Sequence, residues 1–141
     1  MKKILLVLMA MICIVTGCKD EKKVFTDITT TLGPCVSSSD FGKSDDTILL
    51  INNKQQLKQF CVNAPAVNFA KQSLILVKGE SPHGIVNIKT NFAENKNATY
   101  SLSIHVINNF TCVVQGWYKC YLIPKINSIQ DVSITINYGY F

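Results

Sequence analysis

Tyr100-Ser101-Leu102-Ser103-Ile104-His105-Val106 and Val132-Ser133-Ile134-Thr135-Ile136-Asn137-Tyr138 decide the fold class. In both stretches apolar and polar side chains alternate residue by residue. Successive side chains of a strand point to opposite faces, so this period specifies a strand with one buried and one wet face. The β-branched and aromatic residues at the apolar positions suit a pleated, half-buried surface. Between them, Phe110–Val114 and Tyr118–Ile123 flank Gln115-Gly116-Trp117, a spacing that predicts a hairpin with a three-residue loop ended by Pro124. Upstream, Ile85–Phe92 reads as a strand after the turn Ser81-Pro82-His83-Gly84, with Glu94–Asn97 as the next turn. Ser73–Lys78 is a continuous apolar run with polar bounds, the mark of a strand buried on both faces. Thr47–Ile51 is a further short strand. Asn52-Asn53 caps a helix over Lys54–Cys61, with Leu57, Phe60 and Cys61 on one face. About seven strands and one short helix in roughly 95 residues predict an α+β domain, mostly antiparallel, forming a small sandwich or partly open barrel.

The chain of 141 residues carries a formal net charge of +5 and six cysteines. Its first 17 residues are read as an export signal: Met1-Lys2-Lys3, then an apolar run from Ile4 to Val15. That run is too short for a membrane span of about 20 residues. Val15-Thr16-Gly17-Cys18 matches the bacterial lipoprotein box, which makes Cys18 the lipidated residue. From Cys18 onward the chain has twelve Lys, no Arg and nine acids, a net +3. That balance disfavours a nucleic-acid partner. One buried acyl chain holds a protein only marginally, whereas the two or three of a lipoprotein anchor it stably. Lys19-Asp20-Glu21 directly follows the cysteine and resembles the surface-export signal of Bacteroidota lipoproteins. The expected address is therefore the outer membrane, with the cell surface favoured over the periplasmic face. Residues 18–46, rich in Thr, Ser, Asp and Gly, are expected to be a tether with a possible short strand near Val24–Ile28. The globular domain is expected at 47–141.

Cys35, Cys61, Cys112 and Cys120 remain for pairing in an oxidising compartment. Cys112 and Cys120 flank the expected hairpin symmetrically, which favours a bridge between them and a second from Cys35 to Cys61. Free buried thiols are the alternative. No Cys or His spacing suits a metal site, and no motif implies a cofactor. The sequence lacks the nucleophile, zinc-protease and P-loop motifs, so a non-enzymatic role is expected. His105 falls on the polar side of its strand, and His83 sits at a turn tip. Trp117, Tyr118 and Lys119 at the hairpin tip are the candidate partner-binding residues. The competing reading folds Trp117 back over the sheet edge. Phe141 is expected to close the last core strand.

Ile51-Asn52-Asn53, Val67-Asn68-Phe69-Ala70-Lys71, Gly84-Ile85-Val86-Asn87-Ile88, Asn109-Phe110-Thr111 and Leu122-Ile123-Pro124-Lys125 occur in an order that resembles small Bacteroidota lipoproteins. The same order is similar to the C-terminal domain of the PrcB protease-complex subunit family, although Asn68 replaces the usual Asp and His83-Gly84-Ile85 replaces a Gly-Gly-Tyr-like turn. The resemblance implies a partner-binding role and no catalytic residue. Asp46-Thr47-Ile48 matches the O-glycosylation sequence of that phylum, making Thr47 a candidate acceptor. The expected function is a lipid-anchored protein-binding or accessory module, with a surface-anchored protease inhibitor as the alternative.

Overall fold

The computed structural model describes residues 25–32, 46–61 and 64–141. The expected signal segment, Cys18, Lys19-Asp20-Glu21 and Cys35 lie outside them. The described elements are β1 (Thr26–Asp27), α1 (Thr29–Leu32), β2 (Thr47–Ile51), α2 (Lys54–Phe60), β3 (Gln72–Ser81), β4 (Ile85–Glu94), β5 (Tyr100–Asn108), β6 (Gln115–Pro124) and β7 (Val132–Tyr140). Two sheets pack as a sandwich of mainly antiparallel strands and do not close into a barrel. The first has the order β1-β6-β3-β2, the second β4-β5-β7.

The alternation in β5 works as its sequence dictates. Tyr100, Leu102, Ile104 and Val106 are buried against Ile75, Val77, Trp117, Tyr121 and Ile123 of the opposite sheet. The unbroken apolar run in β3 reflects burial on both sides. Ile75 and Val77 face the inter-sheet core, whereas Leu74 and Leu76 face a second cluster with Leu57, Ile51, Ile28 and Leu32. Helix α2 covers that outer face. Asn53 caps it by accepting from Gln56 N at 2.8 Å, and Gln56 Oε1 accepts from Asn52 N at 2.8 Å. This reciprocal pair satisfies backbone donors that a helix start leaves open.

The structure corrects or completes the sequence reading at four points. The hairpin over 110–123 does not form. Residues 111–114 have no regular structure, and β6 runs unbroken from Gln115 through Trp117 to Pro124. Asn109 Oδ1 accepts from Thr111 N at 3.0 Å, a local side-chain turn that bends the chain away from a strand. Meanwhile β6 pairs with β3 over ten residues, from Gln72↔Pro124 to Ser81↔Gln115. The longer ladder wins over the local one. The Cys112–Cys120 bridge falls with the hairpin: both thiols are free, Cys112 exposed in the connection and Cys120 buried in the sheet. Second, β7 runs parallel to β5, because it returns from the first sheet by a crossover. Third, residues 25–32 belong to the fold rather than to the tether. Thr26 pairs with Leu122 and Asp27 with Tyr121, so the short strand expected near Val24–Ile28 is part of the first sheet, and Ile28 and Leu32 are buried. Fourth, Phe141 lies beyond β7 and is 89% exposed. Cys61 is buried, and its expected partner Cys35 lies outside the described residues.

Candidate functional site

The termini of five strands meet at one end of the sandwich. Register places Gly79 opposite Trp117, Ser81 opposite Gln115, Ile85 opposite Asn108, and Asn108 beside Tyr140. The turn at 82–84, the connection at 109–114 and the chain end at 138–141 are therefore neighbours. Their hydrogen bonds hold them together. Gly84 N donates to Thr111 Oγ1 at 3.1 Å, and Asn109 N donates to Gly84 O at 2.8 Å. Ile85 N donates to Gln115 Oε1 at 2.8 Å, and Phe141 N donates to Asn108 O at 3.0 Å. Beneath them, the buried Ser81 hydroxyl donates to Asn108 Oδ1 at 2.9 Å. Gly84 makes this approach possible, since a Cβ there would lie 2.6 Å from Thr111 Oγ1 and 2.8 Å from Asn109 Oδ1.

On this hydrogen-bonded base stand exposed apolar side chains. Phe110 stacks on Tyr140 with centroids 5.3 Å apart and rings 5° from parallel. His83 meets the same tyrosine edge-on at 5.3 Å. Its Nδ1 lies 3.1 Å from Thr111 O, so the ring carries a proton on Nδ1 to donate there. Val113, Val114 and Phe141 are also exposed, at 58%, 64% and 89%. Apolar side chains gathered at one place on a surface, rather than scattered, mark an interaction site.

Trp117, Tyr118 and Lys119 are not brought to an exposed tip. Trp117 is 7% exposed in the inter-sheet core, and its Nε1 donates to Tyr138 OH at 3.3 Å. Tyr138 OH in turn donates to Asp46 Oδ1 at 2.7 Å. Burial, and then this acceptor carboxylate, push the Tyr138 hydroxyl up to about 12. Tyr118 is half-buried against the outer-face cluster. Lys119 forms an ion pair with Asp27 Oδ2 at 2.9 Å. Trp117 is therefore buried, as the competing reading expected, but between the two sheets rather than folded over a sheet edge, and the exposed-tip reading does not hold. Thr47 opens β2 opposite Lys78, and Asp46 of its tripeptide is engaged by Tyr138. His105 is exposed on the outer face of the second sheet, its Nε2 lying 2.7 Å from where a Cβ on Gly139 would stand.

The exposed face was missed because Phe110, Val113 and Val114 read as strand residues. The clue in the sequence was Asn109-Phe110-Thr111, whose flanking polar side chains favour a turn. Comparison with known proteins returns no match: no family model, curated protein or solved structure is similar to this chain.

Proposed function

We propose that this protein is a lipid-anchored, non-enzymatic module of the outer membrane that binds a protein partner through the face built by Phe110, Val113, Val114, Tyr140 and Phe141. One observation carries the reading: a set of exposed apolar side chains sits on a loop already fixed by hydrogen bonds. A preorganised loop loses little entropy on binding, and aromatic anchors supply most of the energy in protein interfaces. The lipoprotein box supplies the anchor, and the absence of a large charge excess fits a protein partner rather than a polyanion.

A photoreactive residue placed at Phe110 or Val113 in living cells tests this. Both positions crosslink a discrete protein, while a probe at Asn91, on the exposed outer side of β4, does not. Equal crosslinking from all three, or none from the first two, overturns the reading. The exposed, irregular run 111–114, pinned through Thr111, also has the form of a loop presented to a protease cleft. In that second reading the purified chain inhibits a secreted protease, and Val113→Asp abolishes inhibition. Free cleavage of the loop without inhibition removes it.

A further inference from the structure

Sheet edges offer unpaired backbone groups, and proteins blunt them with short strands, charges, prolines or bulges. Three of the edges described here are blunted. β1 has two residues and β2 has five. β4 carries Lys89 and Glu94 and an irregular register between Ile85 and Asn87. β7 has none of these devices. It is nine residues long, contains no charge and no proline, and keeps an unbroken register with β5 from Val132 to Tyr140. Among the described residues no strand lies on its far side. The consequence is visible in burial. On central β5 the core-facing residues from Tyr100 to Val106 are 0–3% exposed. On β7 the core-facing Ile134 and Ile136 are only half-buried, and Tyr138 is 40% exposed.

We propose that the far edge of β7 pairs antiparallel with β7 of a second copy, about a two-fold axis at Ile136. Nine residues centred on 136 make the strand complementary to itself. Ile136 faces Ile136 of the other copy, and Ile134 faces Tyr138, so apolar meets apolar on the core side. Thr135 faces Asn137, and Ser133 faces Gly139, so polar or small meets polar or small on the outer side. Cross-strand pairs of these kinds stabilise a sheet, whereas like charges directly opposite destabilise it. The two-fold sets residue 135 against 137 and 133 against 139, and this strand carries no charge at any of these positions to oppose a like one. The result is one continuous sheet in the order β4-β5-β7-β7-β5-β4, an isologous interface. The pairing shares Tyr140 with the loop face proposed above and uses none of its residues 110–114.

The test uses the full chain purified from membranes in detergent, with Cys112→Ser throughout to remove the exposed thiol. Sedimentation over a dilution series gives the dimer constant. The C112S parent dimerises in the micromolar range. T135K/N137K sets like charges opposite each other and weakens dimerisation on the order of tenfold or more. T135K/N137E sets opposite charges face to face and returns the constant to within about threefold of the parent. Both positions are exposed, so far-UV circular dichroism stays that of the parent. Without any variant, diluting the parent speeds deuterium exchange of β7 amides and leaves β3 unchanged. A monomeric parent, an unweakened T135K/N137K, a T135K/N137E as weak as T135K/N137K, or β7 exchange indifferent to dilution each overturns the proposal.

Discussion

Gly79 leaves room for three side chains at once. A Cβ at that position would collide with Asp46 Oδ1 and lie 2.7 Å from both the Trp117 ring and the Tyr138 hydroxyl. Gly79→Ala therefore pushes apart the Trp117–Tyr138–Asp46 chain, and overpacking of this kind costs about 1–3 kcal/mol. Urea unfolding followed through the single tryptophan measures it. The same indole reports on Tyr138. The tyrosine's raised pKa means that its contribution to stability is complete below pH 10 and is lost as pH rises toward about 12. Trp117 emission should stay constant to pH 10 and change between 10 and 12, and Tyr138→Phe should abolish that step. The two thiols separate as sharply. Burial first, and then the Asp27 charge, push Cys120 up to about 12, while Cys112 stands in solvent. Because the thiolate is the reactive form, maleimide should label Cys112 in the native protein and reach Cys120 only after unfolding. Protection of both in the absence of reductant would restore the bridge that the fold removes.

Residues 25–32 show how an element of marginal intrinsic strength is held by its neighbours. Two strand residues and a four-residue helix cannot persist alone. Here Ile28 N donates to Cys120 O at 2.9 Å, Cys120 N donates to Thr29 Oγ1 at 3.0 Å, and Phe25 stacks on Phe92 at 4.5 Å. Asp27 locks the segment. Burial raises its pKa, but two bonds from Thr29 and the Lys119 ammonium outweigh burial and leave the carboxyl below its ordinary value. A depressed carboxylate stabilises above its unfolded pKa and ceases to do so as pH falls through the folded one. Acidification through that range should loosen β1, and Asp27→Asn should do so at neutral pH. The pair is partly exposed, so the loss is below about 1 kcal/mol, with backbone exchange at 26–28 as the readout. At the scale of elements the sequence was legible wherever pattern and length agreed. β2, α2, β3, β4, β5 and β7 all stand within a few residues of their expected places. It misled over 110–117, where an apolar run and a central glycine imitated a hairpin. Only the ten-residue ladder between β3 and β6 shows why that hairpin loses.

Across the whole molecule, the loop face and the β7 edge share only Tyr140, and the proposed N-terminal anchor decides which partners could meet them. Protease added to intact cells should remove the domain if the export signal acts as proposed, and Lys19, Asp20 and Glu21 all changed to Ala should protect it. Shielding in both cases would place the protein on the inner side. Read alone, the sequence determined most strand positions, the two-sided burial of β3 and the mainly antiparallel α+β class, because side-chain period and hydrophobicity are local properties of the chain, while the choice of a sandwich over a partly open barrel was left to the tertiary structure. The partners of each strand, the parallel direction of β7, the docking of 25–32 and the burial of Trp117 were decided by tertiary structure. Those outcomes compare ladders formed by residues far apart in sequence, and no local pattern encodes which pairing buries more surface or leaves fewer backbone groups unpaired.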